Sequence, residues 1–185
     1  MTSTATAGLG TRCPAKLLAG IRAATRKHAD WGRTANLVAA ELGRNLPSPD
    51  LLTAAERAGD PDAYVQHILH TEADGSFSVV ALVWRPGQVT PVHDHVTWCV
   101  VGVVAGTEYE ELYERRGGDT DGRLIRIRTR QNPTGSVSGF APPGDIHRVR
   151  NCSEQTAISI HIYGADIRRL GSSVRRCYDL PIVSR

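Results

Sequence analysis

The 185-residue chain lacks the features that mark several protein classes. No apolar run approaches the ~20 residues of a membrane-spanning helix. No charged segment followed by an apolar one opens the chain, so no secretory leader is expected. Its four cysteines (Cys13, Cys99, Cys152 and Cys177) have neither CxxC spacing nor the pattern of a disulfide framework. They read as reduced thiols of a cytoplasmic protein. The net charge of +3 is small, and acidic residues interleave with the basic ones. In Arg123–Arg130 the pattern is a strand with Arg126, Arg128 and Arg130 on one face, read as solvated. Nucleic-acid binding would call for a larger basic excess with interleaved aromatics, so neither nucleic acid nor membrane is an expected partner. There is no internal repeat and no low-complexity segment.

What is present is one chain long enough to bury a single sizeable core. Residues 1–12, small and polar at first, are expected to be disordered. Residues 13–185 are expected to form one domain, helical over 13–70, a β-barrel over 76–165 and a C-terminal extension over 166–185. Helices are expected at Ala15–Arg26, Thr34–Leu42 and Pro49–Ala58, with Gly43 and Gly59 as stops. Asp60-Pro61-Asp62 reads as the start of another helical turn through Tyr64 to about His67. From Ser76 the pattern turns to short β-prone runs at Phe77–Trp84, Thr97–Val104, Glu108–Tyr113, Arg123–Arg128, Gly135–Phe140, His147–Asn151 and Thr156–Tyr163. Glycine, proline and Asp/Asn punctuate them, as in an antiparallel sandwich or barrel.

Two histidine clusters carry the chemistry. His93 and His95 are two residues apart, so on a strand they share a face. His147 follows a Pro-Gly turn about fifty residues later. Three neutral nitrogen donors with open positions beyond them describe a catalytic metal site better than a structural one.

The spacing from Gly87 through His93, His95 and Cys99 to Gly106 resembles the first cupin segment, G-x5-H-x-H-x3-E-x6-G, with cysteine at the glutamate position. Gly135, Pro142, Gly144, His147 and Asn151 resemble the second, G-x5-P-x-G-x2-H-x3-N, with one extra residue before Pro142. The resemblance implies a mainly β cupin fold, a small antiparallel barrel or jelly roll with a helical N-terminal segment. A three-histidine site without a carboxylate is that of the thiol dioxygenases. From about Asp62 to Asp179 the chain resembles the cysteine dioxygenase family.

That resemblance implies Fe(II) on His93, His95 and His147, with a small thiol and O2 as partners. The product would be a sulfinic acid, and the protein a monomer or small homo-oligomer. Ser159-Ile-His161-Ile-Tyr163 resembles the family's Ser-x-His-x-Tyr relay; the alternative is an amphipathic strand with a polar outer face. Cys99 stands where animal members carry a cysteine joined by a thioether to the active-site tyrosine, here Tyr163; the alternative is a small buried hydrophobe. Beside Tyr64, Gln66 places the chain with members that prefer 3-mercaptopropionate over cysteine. Those members hold the carboxylate with a C-terminal arginine. The assignment among Arg168, Arg169, Arg175 and Arg176 is open, Arg176 being favoured by the Val174-Arg175-Arg176 segment, and a solvated helix face accounts for at least two of them. Other open readings are a zinc enzyme, a ligand-binding sensor, and a member that carries sulfur oxidation further.

Overall fold

Leu17, Leu18, Ile21 and Ala24 fall at helical spacing and form the buried stripe of α1 (Ala15–Thr25). In the computed structural model, which describes residues 3–5, 12–118 and 121–183, α2 (Trp31–Arg44) begins three residues before the expected Thr34. Asp30 is the reason, because its carboxylate caps the helix by accepting from the Arg33 N–H. The third expected helix is split into a 3-10 turn at Pro49–Leu51 and α3 (Ala54–Ala58). Thr53 and Glu56 form a capping box that starts the chain on a new helix there.

The expectation of a helical turn from Asp60 to His67 is corrected. Asp60 accepts from the Asp62 N–H and holds Pro61 in a turn. The chain then enters β2 (Val65–Thr71), which alternates buried and half-buried residues and pairs antiparallel with β3 (Ser78–Trp84). Tertiary pairing overrides the local proline signal. The helical N-terminal part therefore ends before β2 rather than at residue 70. At the N-terminus Ser3–Ala5 form β1, parallel to Val65–His67 of β2. This corrects the expected disorder for those three residues; residues 1, 2 and 6–11 lie outside the described ones.

The remaining strands are β4 (His93–His95), β5 (Cys99–Ala105), β6 (Thr107–Arg116), β7 (Arg123–Pro133), β8 (Val137–Phe140), β9 (His147–Arg150) and β10 (Ala157–Tyr163). A short α4 (Ile167–Leu170), β11 (Val174–Cys177) and β12 (Ile182–Val183) follow. They make two six-stranded sheets, ordered β1-β2-β3-β10-β5-β8 and β11-β4-β9-β6-β7-β12. All pairings are antiparallel except β1 with β2 and β12 with β7.

The first sheet decides where the polar residues go. Val79, Ala81 and Val83 of β3, Val100 and Val104 of β5, and Ile158, Ile160 and Ile162 of β10 join the core under α1 and α2. Fully burying one isoleucine contributes about 1.5–3 kcal/mol, so the three together fix which way β10 faces. Alternation then turns Ser159, His161 and Tyr163 to the inner face, and all three are buried. The relay strand has no polar outer face.

Two glycines mark close approaches. A Cβ at Gly102 would lie 2.7 Å from the Leu42 side chain, so this position lets α2 settle on β5. Gly106 turns β5 into β6 at φ +71°, and a Cβ there would meet the Ala157 backbone at 2.8 Å.

Candidate metal centre and its pocket

β4 and β9 are register partners at His93 and His147, and His95 lies on the same face of β4 as His93. The ligand atoms of His93, His95 and His147 all lie within 4.8 Å of one another, and all three side chains are buried. The Nε2 atoms of His93 and His147 are 3.2 Å apart.

Each Nδ1 is engaged from behind. That of His93 donates to the Pro91 carbonyl at 3.0 Å, that of His95 to Asp145 at 3.1 Å, and that of His147 to Glu110 at 2.8 Å. With the proton on Nδ1, each ring presents a bare Nε2 lone pair to the shared point. Two lone pairs at the His93–His147 separation repel unless a cation lies between them, so this donor set fits a divalent metal. Burial, then the neighbouring His147 and His95, push His93 down to about 3, which keeps it a neutral ligand. Burial alone would raise Glu110 and Asp145, yet hydrogen bonds from His147 and His95 hold both below the usual carboxylate value.

The relay lies beside the triad. Ser159 Oγ is 2.9 Å from His161 Nε2, and Tyr163 Oη is 3.1 Å from His161 Nδ1. Burial, reinforced by the three histidines, holds His161 well below its ordinary value, so its imidazole is neutral. Burial keeps Tyr163 a phenol. Cys99 is fully buried, stands opposite Tyr163 across β5 and β10, and stays a thiol because burial raises it.

A pocket opens over the histidines, lined on one side by Tyr64, Gln66 and Trp84 and on the other by the 171–174 loop. Tyr64 stacks on Trp84 with ring centroids 4.3 Å apart. The loop is pinned by the Val96 N–H bonding the Ser173 carbonyl at 2.9 Å. Ser173 stands beside Tyr163 in the pocket lining.

The arginines assigned from sequence are elsewhere. Among the described residues no arginine lines the pocket. Arg168 and Arg169 are exposed on α4. Arg175 and Arg176 both bind Asp94 Oδ2, Arg176 at 2.8 Å, and Tyr178 joins them at 2.9 Å. Asp94 points to the face of β4 opposite its two histidines, and these partners hold its buried carboxyl down at about 2. The carboxylate clamp expected from one of Arg168, Arg169, Arg175 or Arg176 is not assembled here, because the first two are exposed on α4 and β11, paired with β4, spends the other two on Asp94.

Sequence reasoning missed Glu108, Glu110, Asp145 and Ser173. Glu108 and Glu110 were legible in one respect: they alternate on a strand that needs an inner face, as does Leu112.

The fold and site define a double-sheet β-barrel protein with a buried cluster of three histidines that could hold a metal ion. The chain matches the family model for cysteine dioxygenase type I over residues 50–170, well over half its length, and belongs to that family. Solved structures with similarity include a double-stranded β-helix protein from Klebsiella pneumoniae subsp. pneumoniae, 14% identical with TM-score 0.47, over 62% of this chain and 84% of that one. A cupin superfamily protein from Desulfitobacterium hafniense is 9% identical with TM-score 0.45, over 63% and 86%. Among the described residues no helix is long and apolar enough to cross a membrane.

Proposed function

We propose that this protein is an Fe(II) thiol dioxygenase that adds both atoms of O2 to the sulfur of a small thiol carboxylate, 3-mercaptopropionate or L-cysteine, giving the sulfinic acid. The observation that carries the reading is the juxtaposition of a carboxylate-free three-histidine set with the Ser159–His161–Tyr163 chain. His93, His95 and His147 would hold the iron. When bound, the metal supplies a cationic centre that stabilises the substrate as thiolate and the redox partner that O2 requires.

The chain's own residues do the rest. Asp145, Glu110 and the Pro91 carbonyl fix the tautomer and orientation of the three rings. Tyr64 and Trp84 form an apolar wall that excludes water from the sulfur. Gln66 and the serines of the 171–174 loop present neutral hydrogen-bonding groups to the substrate's far end. Tyr163 offers its hydroxyl to the reacting end, oriented by His161.

A second reading follows from the lining. A pocket without a cation gives no premium to a carboxylate, which favours an uncharged or amine-bearing thiol such as cysteamine. Oxygen uptake with cysteine, 3-mercaptopropionate, cysteamine and mercaptosuccinate separates the two, with products identified by mass. Metal analysis of protein purified without oxidant tests the iron against zinc. Stoichiometric zinc with no thiol-dependent oxygen uptake would sink the dioxygenase reading.

A further inference from the structure

Beside the relay, outside the residues that line the pocket, is a carboxyl that the reaction outlined above does not use. Glu108 lies on β6 opposite Asn132 of β7 and is 1% exposed. The Ser159 hydroxyl and the Trp84 indole lie close enough to its carboxyl to lower it, while its Oε1 has no hydrogen-bond partner among the described residues. Trp84 Nε1 also donates to Ser159 Oγ at 3.3 Å. A buried carboxyl with one free oxygen is costly if it serves only packing.

The relay needs a fixed direction. His161 is neutral, so one ring nitrogen donates and the other accepts. Its two partners, Ser159 and Tyr163, are hydroxyls that can each do either. Within these three residues nothing chooses between the two arrangements. Glu108 does.

When Glu108 is ionised it can only accept. Ser159 then donates to Glu108, His161 Nε2–H donates to Ser159, and Tyr163 O–H donates to His161 Nδ1. The Tyr163 oxygen therefore presents a lone pair to the pocket. When Glu108 is protonated the order reverses. Glu108 donates to Ser159, Ser159 to Nε2, and Nδ1–H to the Tyr163 oxygen, which leaves the Tyr163 proton pointing at the pocket.

We propose that Glu108 is the positioning residue that sets the direction of this chain and is the final acceptor of the proton that the substrate thiol releases. The second half rests on the thiol dioxygenase reading. The transfer balances without any redox partner. The thiol S–H bond breaks and an O–H bond forms on Tyr163, whose own proton moves to His161 Nδ1. The Nε2 proton passes to Ser159 Oγ, and the Ser159 proton to Glu108. One proton leaves the sulfur and one arrives at Glu108, while Tyr163, His161 and Ser159 end neutral, as they began.

The surroundings suit the role. Burial pushes Glu108 up to about 7, against the opposing pull of Ser159 and Trp84 and with the charge of Glu110 adding to the rise. The groups around it are Glu110 on its own strand, Ser159 and Tyr163 on β10, Cys99 on β5, Trp84 on β3 and Asn132 on β7. None of them is a lysine or arginine that would lock it as an anion. An acceptor near this value can take a proton from a thiol of ordinary pKa about 8.5 once thiolate formation is favoured, and can return it on product release.

The test uses metal-free protein labelled with 15N-histidine, in which two-bond 15N–1H correlations report the His161 tautomer. The expected result is an exchange from Nε2–H to Nδ1–H as the pH falls through about 7. Glu108→Gln is expected to hold one tautomer throughout. Ser159→Ala, which cuts the chain but leaves Glu108 in place, is expected to abolish the exchange too. In the iron-loaded enzyme, Glu108→Gln should lower kcat roughly 10²-fold and remove the limb of the kcat profile near neutrality, with KM little changed. A wild-type tautomer that is constant between about pH 5 and 8, or a Glu108→Gln protein that exchanges as the wild type does, overturns the proposal. Tautomer exchange without consumption of any thiol supports the directional role of Glu108 and removes the dioxygenase reading instead.

Discussion

Cys99 and Tyr163 are direct cross-strand partners on β5 and β10, with their side chains on the same inner face of the sheet. Burial raises both groups, so thiol and phenol stand side by side unionised. This is the arrangement from which a thioether can form, by a two-electron oxidation that removes one hydrogen from sulfur and one from the ring. Aerobic turnover with iron and thiol should produce a population about 2 Da lighter. Cys99→Gly should lack it and retain appreciable activity. An intact-mass spectrum unchanged after many turnovers would exclude the crosslink.

The metal centre depends on its supports as well as its ligands. His147→Ala removes one of three donors and should abolish stoichiometric iron binding. Glu110→Gln keeps all three imidazoles but replaces the carboxylate that accepts from His147 Nδ1. It should weaken metal binding by about 10–100-fold, measured by titration of the metal-free protein. Equal affinity in Glu110→Gln and wild type would show that the His147 ring is held by packing alone.

The strands and the clustering of the three histidines were legible because both depend on short-range spacing. His93-x-His95 needs only a period of two, and the isoleucines of β10 fix its inward face without any distant information. The failures have a common physical cause. Whether Val65–Thr71 becomes a strand depends on β3 lying beside it, which the proline at position 61 does not reveal. The destination of Arg175 and Arg176 depends on the pairing of β11 with β4, which puts Asp94 within their reach. Glu110 and Asp145 come into the site only through contacts spanning 37 and 50 residues.

An acid-sensitive tie outside the site joins the segment before α1 to α3. Arg12 Nη1 binds both oxygens of Glu56 at 2.8 Å, and these contacts pull Glu56 down to about 2. The folded state therefore binds this proton less readily than the unfolded chain does. The contribution is complete above about 4.5 and is lost as the pH falls toward about 2. Because the pair is partly exposed, solvent screening limits it to about 1 kcal/mol. Glu56→Gln should lower the urea midpoint at neutral pH and flatten its decline in acid. A variant with the same acid dependence as wild type would remove Glu56 as its source.

The last expectation concerns the far end of the substrate. If Arg176 held a substrate carboxylate, alanine there would cost about 1.5–3 kcal/mol, at least tenfold in KM, for 3-mercaptopropionate and nothing for cysteamine. The structure instead commits Arg176 to Asp94, together with Arg175 and Tyr178, on the face of β4 away from the pocket. Arg176→Ala should therefore change KM for both thiols by the same small factor, through loosening of β11 against β4. Gln66→Ala and Ser173→Ala, which alter the pocket lining itself, should instead change the ratio between the two substrates. Selective loss of the carboxylate thiol in Arg176→Ala would mean that Arg176 leaves Asp94 when substrate binds. The same selectivity should then appear in Asp94→Asn with the opposite sign, since weakening the competing partner frees the guanidinium for the carboxylate.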